Sequence, residues 1–347
     1  MFQDKLINSH PYIKYIIVTA VFFLVLLIDL QFIIFTSRTI NLLIRVVYFG
    51  IMALGFNMLL GYAGQISLGH AAYMGLGAYL TAYFSNHMGW NFMIILLLSG
   101  LIPMALGIIL GLVALRMERL YLAIATLGLG VTGQMIFQEW RAFTRGFSGI
   151  RLERPEILGF AFNNSRHFLM LITVILLLVI ILTYNFSRSR TGRALSAMRD
   201  SEYASQSLGI SLFKYKLLAF AASSFYVGIA GSLYAYAERY VHPSTWGVEL
   251  SLDMLAMVVI GGLASIGGSL VGAGFLVLVP RLTAATPVLA DITNMNYILT
   301  GLAMILVIKY MPYGIYTTID LKLIQPYLMG RSGENFRYQD LKKESDS

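Results

Sequence analysis

Along this chain, apolar and polar positions separate into long blocks and do not alternate. No Asp, Glu, Lys or Arg occurs from Val46 to Leu115, a run of 70 residues, whereas one membrane-crossing helix needs only about 20. Three spans fit there, the first starting near residue 40, with turns near Gly61–Gly64 and Asn86–Asn91. Further uncharged runs are Tyr15–Ile28, Leu120–Gln138, His167–Ser187, Leu217–Ala237, Met254–Pro280 and Ile292–Ile308. These runs predict helices. An open sheet would leave backbone groups unpaired in hydrocarbon, and a membrane barrel would alternate. The first apolar stretch continues to Phe35 apart from Asp29 and has no small-residue cleavage site after it, so it reads as a retained first span.

Charge placement orients the spans. Arg188, Arg190, Arg193, Arg199, Lys214 and Lys216 form one basic cluster, and Lys309, Lys322, Arg331, Arg337, Lys342 and Lys343 form another. Both belong in the cytoplasm, so an even number of crossings must separate them. The run 254–280 contains Gly261-Gly262 and Gly267-Gly268. Splitting it into short spans near 252–264 and 268–280 restores parity. The expectation is an all-α polytopic protein with about ten crossings, some short or Gly-broken. Residues 1–13 form a cytoplasmic N-terminus, 14–311 the transmembrane domain with cytoplasmic loop 187–216, and 312–347 a cytoplasmic tail. Sixteen of the 25 Lys and Arg then lie inside. Five of the outer arginines sit in loop 139–167, near Glu153 and Glu156. Of these, Arg145 and Arg151 flank a Gly-Phe-Ser-Gly turn that would present them outward.

Composition agrees. The chain is 58% hydrophobic and only 12% charged, with a mean hydropathy of +0.73. That excludes a soluble enzyme of this size, a disordered chain and a collagen-like one. Cysteine is absent, which removes disulfides, zinc-thiolate sites and thiol catalysis. The net charge of +8 requires no nucleic acid, because cytoplasmic loops of membrane proteins collect Lys and Arg.

Two segments are dense in glycine: Gly61 to Tyr79 and Gly261 to Gly274. They are compatible with close helix packing. They are equally compatible with broken helices whose free backbone groups face a polar cavity, a pointer to a transport path when one lies in each half of a chain. The first carries Gln65, Ser67 and His70, with Asn57 just before it. Ser67 and His70 share a helix face. Such residues either make interhelical hydrogen bonds or line an interior. In the basic loop, Arg193 to Leu208 reads as one short amphipathic helix, with Leu195, Met198, Ala204 and Leu208 on its apolar face and Gly209 as its stop. It suits either a lipid surface or a groove in a soluble partner.

Four ordered blocks, within residues 40–310, resemble the branched-chain amino acid ABC transporter permease family, LivM type. They are GFNMLLGYAGQISLGHAAYMGLGAY (Gly55–Tyr79), LYLAIATLGLG (Leu120–Gly130), GRALSAMRDSEYASQSLGISLFKYKLLAF (Gly192–Phe220) and MVVIGGLASIGGSLVGAGFL (Met257–Leu276). The third departs from the family pattern at Ser205-Gln206-Ser207, where Ala-Glu-Ala is usual. The resemblance implies a type II ABC importer-like permease forming half of a translocation path for leucine, isoleucine or valine. It implies a bacterial or archaeal cytoplasmic membrane. The implied partners are a second homologous permease, two cytoplasmic ATPases, a periplasmic or lipid-anchored substrate-binding protein, and membrane lipid. It implies no cofactor in this chain and no metal; ATP and Mg belong to the ATPases. With no GxxxxGK[ST] here, this chain lacks its own P-loop.

The residues expected to line the path are Asn57, Gln65, Ser67, His70, Tyr73 and Thr126. Those expected to couple to the ATPase are Arg193, Arg199, Asp200, Glu202, Ala204, Leu208, Gly209 and Ile210. Gating or packing is assigned to Gly61, Gly64, Gly69, Gly261, Gly262, Gly267 and Gly268, and binding-protein docking to Arg145 and Arg151. Urea, amides or other small polar or aromatic solutes are alternative cargoes. An intramembrane hydrolase using Ser67 and His70, or a passive channel, are rivals of a different kind. Neither GxSxG nor HExxH occurs, and no acid in the block orients His70.

Overall fold

The computed structural model describes residues 35–114, 119–157, 160–162, 164–285 and 295–319. The expected first span, the N-terminal segment 1–13 and the tail beyond 319 lie outside the described residues. What is described is overwhelmingly helical. Among the described residues, seven helices are long and apolar enough to cross a membrane, which makes this a multi-pass membrane protein.

The first of them, α1 (Ser37–Asn57), runs into a π turn at Met58–Tyr62. An extended stretch follows. Then come α2 (His70–Tyr83), with its own π turn to Met88, α3 (Phe92–Ala114), α4 (Arg119–Glu139) and the single turn α5 (Arg141–Thr144). Two small antiparallel pairs involve the next loop: β1 (Ile150–Arg151) pairs with β4 (Tyr240–Val241), which comes later in the chain, and β2 (Glu156–Ile157) pairs with β3 (Phe160–Ala161). Next are α6 (Ser165–Arg188), α7 (Arg190–Asp200), α8 (Glu202–Ser207) and α9 (Leu212–Glu238). The chain then forms α10 (Val248–Gly261), α11 (Ile266–Ala285), α12 (Met295–Tyr310) and α13 (Ile315–Ile319).

Helix α9 is the central mast, packed on α1, α2 and α3. Small residues let the backbones approach, as membrane interfaces favour. A Cβ on Gly228 would strike Ser99 and Pro103 of α3, and one on Gly231 would strike Met74 of α2. The α1 and α9 spans are each 72% buried, against 11% for the α12–α13 span. That last span is therefore peripheral, and its apolar exterior is the face left for lipid or a neighbouring subunit. At the C-terminal end of α9, Glu238 forms an ion pair with Arg45 of α1 at 2.9 Å and also accepts from Tyr48.

Two expectations about breaks meet the structure differently. The long Gly run does divide, but at residues 262–265; Gly267 and Gly268 lie inside α11. The cytoplasmic segment is not one helix. Ser201 is extended (φ −155°), and its hydroxyl accepts from Ala204 N–H to start α8 as a new helix. This break turns the apolar face. Leu195 and Met198 are buried, whereas Leu208 is 79% exposed.

Candidate functional site

The π turn ends α1 within the molecule, and residues 63–69 then cross without helix before α2 begins at His70. Gly64 makes this possible with φ +65°, a conformation strained for a residue with a Cβ. The stretch rests on α4: Leu68 N–H donates to Thr126 Oγ1 at 3.1 Å, and Gly69 lies directly against the Thr126 carbonyl.

His70 is fully buried. Its Nδ1 lies 2.7 Å from Ser67 Oγ and its Nε2 2.9 Å from Ser223 Oγ of α9. The rings of Phe56, Tyr73 and Phe220 surround it edge-on at 5.2–5.3 Å. Both ring nitrogens are thus engaged by hydroxyls, so the imidazole is held as a bonded post between α2 and α9. Ser67 is oriented by His70, but among the described residues no carboxylate bonds to the pair, so the hydrolase reading gains no third member there.

Asn57 is buried at the end of α1 and spans to the second break. Its Oδ1 accepts from Ala264 N–H at 2.9 Å; its Nδ2 donates to the Ser265 carbonyl at 3.0 Å and to Ser269 Oγ at 2.9 Å. Gly61 must be glycine here, since a Cβ would collide with Asn57 Oδ1 and Ala264 N. At the second break, Gly261 and Gly268 meet backbone to backbone, Gly262 (φ +134°) sits on Tyr313 and Thr317, and Gly267 abuts the Tyr316 ring. The two Gly-rich segments, far apart in sequence, form one hydrogen-bonded unit.

Gln65 and Tyr73 differ from their neighbours. Both Gln65 amide atoms and the Tyr73 hydroxyl are buried with no hydrogen-bond partner among the described residues. Buried polar groups in this state cost free energy and call for an explanation. Of the six residues expected on a path, four are therefore bonded into the fold and two carry spare polar capacity. Sequence reasoning missed Ser223, Ser251, Ser265 and Ser269. Ser251 accepts from Ala71 N–H at the start of α2. Their only sequence signal was a hydroxyl inside an apolar run.

In the basic segment, α7 lays Ala194, Leu195 and Met198 on the membrane domain. Arg199 Nη1 donates to the Gly61 carbonyl at 2.8 Å, while its other nitrogens reach Asp200. Glu202 pairs with Lys216 at 2.9 Å. Arg193 and Ala204 are exposed, and Arg193 Nη1 donates to the Arg188 carbonyl. Gly209 (φ +77°) and Ile210 close α8 as a Schellman turn: Gly209 N–H donates to Gln206 and Ile210 N–H to Ser205. Tyr203, 86% exposed, and Leu208 present apolar surface outward.

On the opposite side, Arg145 (φ +58°) and Arg151 are exposed on either side of the Gly146–Gly149 turn. Neither makes an ion pair among the described residues. Arg151, Arg154 and Arg239, with Glu153 and Glu156, line a cleft of about 1100 Å³ at the outer ends of α2, α3 and α9. Burial and the neighbouring Arg239 hold the Arg154 guanidinium below its usual pKa.

Comparison with known proteins places this geometry. Residues 38–308 match the family described as branched-chain amino acid transport system / permease component. The high-affinity branched-chain amino acid transport system permease protein LivM of Salmonella typhimurium is 30% identical over 82% of this chain and 70% of its own length. LivM of Escherichia coli is 28% identical over 85% of this chain and 72% of its own. A probable LivM of Methanocaldococcus jannaschii is 24% identical over 76% and 89%. LivH of Salmonella typhimurium is 24% identical over 82% and 96%. No solved structure matches. With a family match across most of its length, the chain belongs to the branched-chain amino acid transport permease family.

Proposed function

We propose that this chain is one half of the membrane path of an ABC importer for branched-chain amino acids. It pairs with a second, LivH-like permease and is driven by two cytoplasmic ATPases. A periplasmic or lipid-anchored binding protein delivers leucine, isoleucine or valine. ATP and Mg act on the ATPases; this chain contributes no cofactor. It sits in the cytoplasmic membrane of a bacterium or archaeon, with both termini in the cytoplasm. A type II architecture with ten crossings is supported by seven long spans and two short helices, α2 and α10, among the described residues, with the 15–35 segment as the tenth.

The observation that carries the reading is the α7–α8 hairpin. One face is packed on α6, α9 and the π turn that ends α1, and the other offers Tyr203 and Leu208 to a cytoplasmic partner. A passive channel has no use for such a surface. Gln65 and Tyr73, with spare polar capacity beside the first break, are the side chains best placed to meet a zwitterion in transit. In this reading His70, Ser67, Asn57 and Thr126 shape the path's wall, and the two Gly-rich breaks are where it flexes.

The test is uptake into proteoliposomes holding the full complex. ATP-dependent accumulation of labelled leucine, isoleucine or valine that needs the binding protein is expected. Downhill flux without ATP would indicate a channel, and urea or amide uptake in place of amino acids would overturn the cargo. Tyr203→Ala with Leu208→Ala is expected to strip the ATPases on purification while leaving both permeases together.

A further inference from the structure

We propose that Arg199 is the residue through which the cytoplasmic loop grips both broken helices, acting as a positioning residue on the Gly61 carbonyl. The inference rests on the importer reading above and adds to it a specific mechanical joint.

The joint is built in three steps. First, the π turn at Met58–Tyr62 ends α1, so the Gly61 carbonyl has no helical N–H ahead of it. A π turn commonly marks a functional site because it upsets the regular bonding ladder. The bond is supplied from the loop: Arg199 Nη1 donates at 2.8 Å. Second, the arginine stem is seated. A Cβ on Gly64 would lie 2.9 Å from Arg199 Cγ, so the left-handed glycine leaves just enough room for the side chain to pass. Third, the same turn is tied to the other half of the chain. Gly61 packs on Asn57 and Ala264, and Asn57 bonds Ala264, Ser265 and Ser269.

Arg199 therefore touches the first break directly and the second through a single side chain. Asp200 holds the guanidinium from its outer side at 3.2–3.3 Å. Any displacement of α7–α8 by a cytoplasmic partner is applied to a backbone carbonyl at the foot of the Gly-rich loop. Because the acceptor is a backbone carbonyl, a pull on it moves the loop itself and not just a side chain. A two-state element biased from a distance is what coupling requires.

The test uses the complete complex in nanodiscs. Ile66, in the same loop, is 41% exposed, and this chain has no cysteine. Ile66→Cys therefore reports loop position through its rate of reaction with a soluble maleimide, with and without ATP. In the otherwise wild-type complex the rate is expected to change about fivefold with nucleotide. Arg199→Met keeps the stem over Gly64 but loses the donor; its rate should become independent of nucleotide, and uptake should fall roughly tenfold. Arg199→Lys restores a donor and should recover most of the response. A complex carrying Arg199→Met that assembles and responds like wild type overturns the joint. So does Arg199→Lys as inert as Arg199→Met. If Arg199→Met fails to assemble, Arg199→Lys decides alone: a wild-type response upholds the joint and a lost response sinks it. Absence of any nucleotide effect in the Ile66→Cys complex itself counts against the importer reading and not against Arg199 specifically.

Discussion

At the scale of single residues, the polar cluster divides by its hydrogen bonds. Asn57 satisfies a backbone N–H and a backbone carbonyl of the second break. Asn57→Ala strands the Ala264 N–H, at about 1–3 kcal/mol for a donor left buried and unpaired, while the Ser265 carbonyl keeps the N–H and hydroxyl of Ser269. The expected result is a clear drop in the thermal midpoint of the purified complex together with lost uptake. Gln65 is the reverse case. Its amide has no partner among the described residues, so Gln65→Ala removes a polar burden. Thermal stability should hold or rise, while uptake falls by about tenfold, or ~1.4 kcal/mol on the transport barrier. A Gln65→Ala complex that transports normally would make the amide a bystander. His70 groups with Asn57: its imidazole joins Ser67 to Ser223, and His70→Ala is expected to cost stability and transport together.

At the scale of elements, the short helices matter most. At about 1.5 Å per residue, α2 and α10, each of 14 residues, fall short of a bilayer core of roughly 30 Å. Each needs its break shielded by protein, which the Asn57 clamp provides. Helix α8 ends in a Schellman turn whose pivot, Gly209, has open space around its missing Cβ. The objection to a side chain there is therefore torsional and not steric. Gly209→Val should cost about 1–2 kcal/mol. The cost falls on the turn that presents Leu208, so ATPase retention on purification should drop while membrane insertion, read by expression and pairing with the second permease, stays normal. Normal ATPase retention in that variant would separate the turn from docking.

At the scale of the whole molecule, the two ends differ in chemistry. The end that carries α7 and α8 offers apolar side chains on a basic segment. The opposite end offers arginines around a cleft, with Arg145 and Arg151 exposed and outside any ion pair among the described residues. Exposed charges at a rim act mainly on encounter rate and are screened beyond about 10 Å at 0.1 M salt. Reversing both, Arg145→Glu with Arg151→Glu, should slow association of the binding protein at low salt. The difference should shrink at high salt, and ATPase activity without binding protein should be unchanged. Equal association rates at low salt for wild type and double variant would remove these arginines from docking.

The seven long spans among the described residues, the break near Gly262 and the stop at Gly209 were legible in the sequence. Each depends on neighbouring residues alone: hydrophobic run length, glycine's access to left-handed backbone, and charge that cannot enter hydrocarbon. The family blocks were legible for the same reason, being contiguous. Only the tertiary structure decided which polar residues are spent and which are spare. Ser223, which ties His70 to α9, lies 153 residues from it, and the partners of Asn57 lie 207 or more residues away; a lone serine in an apolar helix carries no address. The turn of the cytoplasmic helix at Ser201 was hidden because a serine serves equally inside a helix and at its N-cap. The reach of Arg199 to Gly61 was hidden because a carbonyl freed by a π turn leaves no mark in the amino-acid code.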